Sequence, residues 1–160
     1  HCRRGDLLRR DAVFKSRAYS DEYYINAIEY VNENVVPEGK QVQFTMFTQD
    51  AVFLGEDNVE KRTRDIIEGI DIHTRFRNID NLDIKINNNV LEDLWFMFNS
   101  DCIIASRSTF GKIPSIFSNA IVVDAIGKCP FQKRHWIKIK DPIDVESLDY
   151  YMHSDFTQKK

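Results

Sequence analysis

The chain has 160 residues, of which 42% are hydrophobic and 29% charged, and it carries a net charge of -3. This length allows one domain with a hydrophobic core, and the composition is that of a soluble globular protein. No apolar run approaches the roughly 18 residues that a membrane span needs. The negative net charge gives no basic field for nucleic acid, which argues against a non-specific DNA binder.

The three cysteines, Cys2, Cys102 and Cys129, are scattered and form no CxxC pair. This spacing argues against a zinc knuckle and against a disulfide framework, so we predict reduced, structural thiols. The sequence begins without methionine and inside its most distinctive motif. We therefore expect the numbering to begin partway along a larger protein, after a strand that would deliver His1.

The opening six residues, HCRRGD, suit a phosphorylated ligand better than a packed core. Arg3 and Arg4 offer planar donor forks that match pairs of phosphate oxygens. Gly5 lets the main chain approach a ligand closely, and Asp6 could orient the arginines. Taken alone, such a motif is more often a salt-bridged surface turn, because charged residues are usually exposed.

The first half of the chain predicts a functional loop followed by a helix and a strand. The loop is Arg-rich and irregular and covers residues 7–19. Ser20 predicts an N-cap for a helix running to about Asn34, since acidic residues follow it and apolar residues recur at helical spacing. A turn over residues 37–39 and an alternating strand over residues 41–48 complete this half.

The second half predicts further alternating helices and strands. In chain order, these are a surface helix over 56–68, a short strand over 70–76, an Asn-rich loop over 77–89, a helix over 90–99, a buried strand over 102–105, a helix over 110–117 and a buried strand over 120–124. Asn89 would cap the helix in which Leu91, Leu94, Trp95 and Phe98 fall at helical spacing.

Strands that alternate with helices indicate a parallel sheet with helices on both faces. We therefore predict an α/β fold, a Rossmann-like domain over residues 1–128. Residues 129–160 have a mixed basic and aromatic pattern with a predicted helix over 145–153. They form a C-terminal extension that either packs on a second domain or frays as a tail.

Ligands of open parallel sheets bind beyond the carboxyl ends of the strands. Three segments should reach that edge: the opening loop, the residues around Asp93, and residues 106–110. The last segment, Ser-Arg-Ser-Thr-Phe, would place hydroxyls and free amides at the positive end of a helix, where an anion could bind. It could also be a plain N-cap, and Asp93 could be a first-turn acid that complements the helix dipole.

Three motifs resemble those of a known superfamily. They are HxRRxD over residues 1–6, the acid Asp93 placed eight residues before an Asp-Cys-Ile-Ile strand, and Ser108-Thr109-Phe110. From about Cys2 to Val123, the chain resembles the donor half of the GT-B fucosyltransferases. These include the core α1,6-, protein O- and α1,2-fucosyltransferases and the bacterial nodulation enzymes. The resemblance implies an inverting transferase that moves L-fucose from GDP-fucose to a glycan or protein hydroxyl.

The resemblance also implies a role for each matching residue. Arg3 would hold the donor β-phosphate and stabilise the charge that grows on the leaving diphosphate, and Arg4 would belong to the same nucleotide site. His1 and Asp93 would bind the guanine, since a carboxylate can accept hydrogen bonds from N1-H and the exocyclic amine together. The remaining contacts, to phosphate and base, would come from Ser108, Thr109 and Phe110.

Asp11 occupies the position of a candidate general base in the core α1,6 branch. A glutamate there lies five residues after the aspartate of the loop and precedes Ala-x-Phe, and this chain has Asp11-Ala12-Val13-Phe14. Such a base would take the proton of the acceptor hydroxyl during inverting attack. An ion pair of Asp11 with Arg9 or Arg10 is the alternative interpretation.

The chain also departs from the pattern. Thr48-Gln49-Asp50 stands where some relatives carry a double acid, and Gly111-Lys112 replaces a Trp-Trp pair. These differences leave open a UDP-sugar donor such as UDP-xylose, or a non-catalytic module that binds an anionic ligand. Nucleic-acid binding through residues 133–136 ranks third. We expect no metal cofactor, because no Asp-x-Asp motif follows a strand, and we expect a second domain to bind the carbohydrate or glycoprotein acceptor.

Overall fold

The structure of the protein is a computed structural model, which describes residue 2 and residues 19–48, 72–125 and 135–140. The elements within these ranges are α1 (Asp21–Asn34), β1 (Phe44–Thr48), α2 (Ile72–Arg75), β2 (Leu82–Ile86), α3 (Val90–Phe98), β3 (Cys102–Ile104), α4 (Thr109–Phe117), β4 (Ile121–Ala125) and β5 (Ile137–Ile139). Helices and parallel strands alternate along most of the described chain, as the sequence predicted. No helix in the described ranges combines the length and the apolar character that a membrane crossing requires.

Helix α1 begins where the sequence predicted. The Ser20 side chain accepts a hydrogen bond of 3.0 Å from the Tyr23 amide, which satisfies one of the amides that have no partner within the helix. The helix ends at Asn34. A turn follows, in which the Lys40 amide donates to the Pro37 carbonyl at 3.0 Å and Gly39 has a φ of 75°, an angle that glycine adopts without strain.

The strands form two parallel sheets. β1 pairs with β2 from Phe44 opposite Leu82 to Thr48 opposite Ile86. The second sheet has the order β3-β4-β5, and both of its pairings are parallel. Paired parallel strands need helical or long crossover connections, and α4 provides the one between β3 and β4, whereas α3 joins β2 of one sheet to β3 of the other.

Helix α1 packs against both sheets and shows that they run in the same direction. Tyr23 and Tyr24, near its start, pack in one cluster with Met46 of β1 and Ala125 at the end of β4. Residues farther along the helix, Ala27 and Val31, pack with residues from the beginnings of strands in both sheets; these are Phe44, Cys102 and Ile137. The carboxyl ends of the strands therefore lie at the amino end of α1.

Helices cover both faces of the sheet that contains β1. Neighbouring residues of a strand point to opposite faces. Met46 packs with Tyr24 of α1, whereas the next residue, Phe47, has its ring centroid 6.0 Å from that of Phe96 in α3. The fold is α/β with small parallel sheets and helices, and it is compatible with a Rossmann-like arrangement.

Two of the predicted elements are wrong. The strand predicted over 70–76 is the short helix α2, in which the Phe76 amide donates to the Ile72 carbonyl at 3.2 Å. The loop predicted over 77–89 contains β2. Two asparagines with positive φ, Asn81 at 57° and Asn87 at 55°, flank that strand. The high asparagine content of this segment marks the ends of a strand rather than a continuous loop.

Strand β5 was also not predicted, because it has a lysine, Lys138, at its centre and lies in a basic and aromatic stretch. The predicted helix over 56–68, the opening loop and the C-terminal helix lie outside the described residues. The division at residue 128 stays a prediction.

Helix α3 was predicted correctly, but its apolar spacing does not identify the buried face. Asp93 and Met97 are buried, whereas Leu91 is 74% exposed and Trp95 63% exposed. On the neighbouring helix α4, Phe117 is also exposed. Apolar residues are common on protein surfaces, so their helical period alone does not decide which side packs.

Candidate functional site

At the carboxyl edge of the sheets, Cys2 of the opening motif lies next to the two-stranded sheet. The amide of Cys2 donates to the Phe47 carbonyl at 2.8 Å, and the Asn87 amide donates to the Thr48 carbonyl at 3.1 Å. The main chain at Cys2 therefore lies on one side of the end of β1, and the segment that leads into α3 lies on the other. Cys2 itself is buried in the core cluster with Met46.

Asp93 is a buried acid in the first turn of α3. Asn89 caps this helix by accepting from the Leu91 amide at 2.9 Å. The Asp93 side chain is only 8% exposed, and Asn88 donates its side-chain amide to Asp93 Oδ1 at 2.8 Å. Burial raises the pKa of Asp93, although the hydrogen bond from Asn88 acts in the opposite direction. The carboxylate is thus held in a fixed position by its neighbour, at the cost of lost hydration.

The segment between β3 and α4 exposes the start of a helix at the same edge. Ser108 is the N-cap of α4 and accepts from the Phe110 amide at 3.3 Å. Its own amide donates to Ser106 Oγ at 3.3 Å. The first turn of α4 contains no acidic residue, so the positive end of this helix dipole is not neutralised by its own side chains.

Helix α1 differs from α4 in this respect. Its first turn carries Asp21 and Glu22, and Asp21 is buried and ion-paired with Arg75. Two carboxylates in the first turn oppose the approach of an anion. Of these two helix starts at the carboxyl edge, α4 is the one that suits a phosphate.

A buried ion pair fixes α4 on the three-stranded sheet. Lys112 Nζ pairs with Asp124 of β4, and both side chains are almost completely buried. Asp124 also accepts from the Tyr19 hydroxyl at 3.2 Å, and Lys112 lies 5.2 Å from the ring centroid of Trp136. This pair was not predicted from the sequence. A single lysine within an apolar helix and a single aspartate within an apolar strand were its only signals.

Four of the predicted site residues lie within the described ranges. Asp93 and Ser108 are buried, Phe110 is partly buried and Thr109 is exposed. The helices that carry them, α3 and α4, pack against each other. The other four, His1, Arg3, Arg4 and Asp11, lie outside the described residues, so their positions stay predictions.

The described part of the chain contains no group of three or more His, Cys, Asp or Glu side chains that could hold a metal ion. Cys2 and Cys102 are free thiols. Burial raises the pKa of Cys102 to about 11, so this thiol is protonated at neutral pH and is a poor nucleophile and metal ligand.

Comparison of the chain with protein-family models found no match, and comparisons with curated proteins and with solved structures found none either.

Proposed function

We propose that the chain is the donor-binding half of an inverting, GT-B glycosyltransferase that resembles the fucosyltransferases. The transferred sugar would be L-fucose from GDP-fucose, and the acceptor would be a glycan or protein hydroxyl held by a second domain. One observation carries this proposal. Cys2 of the HxRRxD motif lies beside the carboxyl end of β1. The segment before Asp93 follows the carboxyl end of β2, and the segment that leads to the acid-free start of α4 follows that of β3.

The three segments offer complementary chemistry to a nucleoside diphosphate. A carboxylate such as that of Asp93 accepts two hydrogen bonds from guanine, which presents N1-H and an exocyclic amine side by side. The amides at the start of α4 can receive phosphate oxygens, with the hydroxyls of Ser108 and Thr109 beside them. Arg3, the residue after Cys2, would complete the diphosphate site from the other side.

The chemical step assigned to this half is stabilisation of the leaving group. As the bond from the anomeric carbon to the diphosphate breaks, negative charge grows on the β-phosphate, and a guanidinium at Arg3 would interact most strongly at that moment. Asp11 is the proposed base that takes the proton of the attacking hydroxyl. This division of roles needs no metal ion at the diphosphate.

The first test is a thermal-shift titration of the full-length protein with GDP, UDP and ADP. A ligand that binds only the folded state raises the melting temperature, and at equal concentration the ligand that binds more tightly raises it more. We expect GDP to give the largest shift. A larger shift with UDP would transfer the proposal to a UDP-sugar, and no shift with any of the three would remove it.

The second part of the same test is the Arg3→Ala variant with GDP-fucose as donor. We expect this variant to keep the melting temperature of the unliganded protein while its kcat falls by about 10²-fold or more, which is the loss typical of removing one donor that stabilises transition-state charge. Arg3→Lys is the matched variant that keeps the charge but lacks the planar fork. Normal turnover by Arg3→Ala would remove the central role given to this residue.

A further inference from the structure

The hydroxyl of Thr48 is an unsatisfied polar group at the edge where the proposed nucleotide site lies. Thr48 is the last residue of β1 and is 5% exposed. Its Oγ1 is buried and has no hydrogen-bond partner among the described residues. A buried hydroxyl without a partner costs free energy, so such groups are rare in folded proteins.

The neighbours of Thr48 are the two segments that the proposed function assigns to the ends of the nucleotide. On one side, Cys2 is hydrogen-bonded to the carbonyl of Phe47, and the chain continues directly to Arg3. On the other side, Asn87 is hydrogen-bonded to the carbonyl of Thr48 itself, and the next residue, Asn88, holds Asp93. Thr48 thus lies between the phosphate-binding and base-binding segments.

We propose that Thr48 Oγ1 hydrogen-bonds a ribose hydroxyl of the bound nucleoside diphosphate. This inference rests on the proposed function, and it adds a residue that the motifs did not assign. The ribose is the part of the molecule between the base and the phosphates, so it lies opposite a group placed between their two binding segments. A threonine hydroxyl can both donate and accept, as can a ribose hydroxyl. The ligand would supply the partner that Thr48 lacks within the described part of the chain.

Thr48→Val tests this inference because valine keeps the branched shape and removes only the hydroxyl. In the free protein we expect Thr48→Val to raise the melting temperature, since it replaces an unsatisfied polar group by a methyl group. In GDP binding we expect a loss of about 3- to 10-fold, the size of one neutral hydrogen bond. A more stable protein that binds its ligand less well is the signature of a polar group kept for function.

The control is Thr45→Val on the same strand, where Thr45 is only partly buried. It lies an odd number of residues from Thr48 and therefore on the opposite face of the sheet. We expect this variant to leave GDP affinity unchanged. Thr48→Ser is the matched variant that keeps the hydroxyl, and it should retain the affinity that Thr48→Val loses.

Binding of 2′-deoxy-GDP and 3′-deoxy-GDP identifies which ribose hydroxyl bonds to Thr48. If Thr48 bonds a ribose hydroxyl, the nucleotide that lacks this hydroxyl should bind wild type and Thr48→Val equally well.

An equal loss for GDP and both deoxy nucleotides would overturn the ribose assignment, as would an unchanged GDP affinity in Thr48→Val. A lower melting temperature of Thr48→Val would also overturn it, because the hydroxyl would then have a partner in the free protein. If wild type binds no nucleoside diphosphate, the proposed function itself fails, and the two failures are therefore distinguishable.

Discussion

The carboxylate of Asp93 is buried in the first turn of α3, where its ionisation is unfavourable. An unfolded aspartate has a pKa of 3.8, and burial raises the value in the folded protein. Below pH 3.8 the group is protonated in both states and costs nothing. As the pH rises through the folded pKa, the folded protein must accept a buried charge, so its stability falls relative to a variant without the acid.

Asp93→Asn removes that charge and should separate stability from binding. We expect the free energy of unfolding of the variant, relative to wild type, to improve as the pH rises from about 3.5 to 7, since the cost of ionisation exists only in wild type. We expect GDP affinity to fall by about 10-fold or more at pH 7. The side-chain NH2 group of asparagine would face the hydrogen-bond donors of guanine, and one charged hydrogen bond would be lost.

Urea denaturation across this pH range and calorimetric titration with GDP measure the two effects. Asp83→Asn is the control, since Asp83 is exposed on β2 and its substitution should change neither quantity. A GDP affinity that survives Asp93→Asn would remove Asp93 from the base site. If the difference in unfolding free energy between wild type and Asp93→Asn does not depend on pH, burial does not disfavour ionisation of Asp93.

At the scale of single elements, two serine-capped helices begin at the same edge but differ in the charge of their first turns. Ser20 caps α1, which carries Asp21 and Glu22, and Ser108 caps α4, which carries no acid there. Loss of a serine N-cap costs about 1 kcal/mol of stability in either helix. Of these two helix starts, that of α4 is free of the repulsion that carboxylates exert on a phosphate.

The pair Ser20→Ala and Ser108→Ala should therefore behave alike in stability and differently in binding. We expect each variant to lose about 1 kcal/mol in the free energy of unfolding. We expect Ser108→Ala alone to weaken GDP binding, by about 5- to 10-fold, since it removes a hydroxyl beside the proposed phosphate site. Equal GDP affinity in the two variants, each corrected for its fraction folded, would contradict a phosphate at α4.

The elements that the sequence predicted correctly are those with local signals. Ser20, Asn89 and Ser108 mark the starts of α1, α3 and α4, because an N-cap interacts with residues two or three positions away. The position of β2 depends on pairing with β1, which lies more than thirty residues earlier in the chain. Pairing over that distance leaves only a weak local pattern, so the asparagine-rich sequence suggested a loop.

The candidate site shows the same division between local and long-range information. The sequence predicted roles for Asp93 and Ser108 because each belongs to a motif, and these roles stay predictions. It gave no signal for the unsatisfied hydroxyl of Thr48 or for the pair of Lys112 and Asp124, since those properties arise only when β1, α4 and β4 are packed. A lysine and an aspartate twelve positions apart interact here because a strand and a helix bring them together.

At the scale of the whole molecule, the two sheets share one core through α1. Tyr23 illustrates this, because its hydroxyl donates to the Ala105 carbonyl at 3.0 Å and lies 3.3 Å from the Val123 carbonyl, while its ring packs in the cluster that contains Met46 of the other sheet. Since a shared core couples the elements that contribute to it, we expect the described sheets to unfold as one unit.

Met46→Ala tests this coupling from the side of the two-stranded sheet. Met46 is 5% exposed, and truncating a buried methionine to alanine costs about 2 to 5 kcal/mol. If the core is shared, protection from hydrogen exchange should fall equally at Asn87, whose amide bonds to β1, and at Ala105, whose amide bonds to β4. Leu91→Ala is the control. Because Leu91 is exposed, we expect this variant to change the free energy of unfolding by no more than about 0.5 kcal/mol. Loss of protection confined to Asn87 would mean that the sheets unfold separately. Part of the binding free energy of a ligand held by both sheets would then be lost in ordering one sheet against the other.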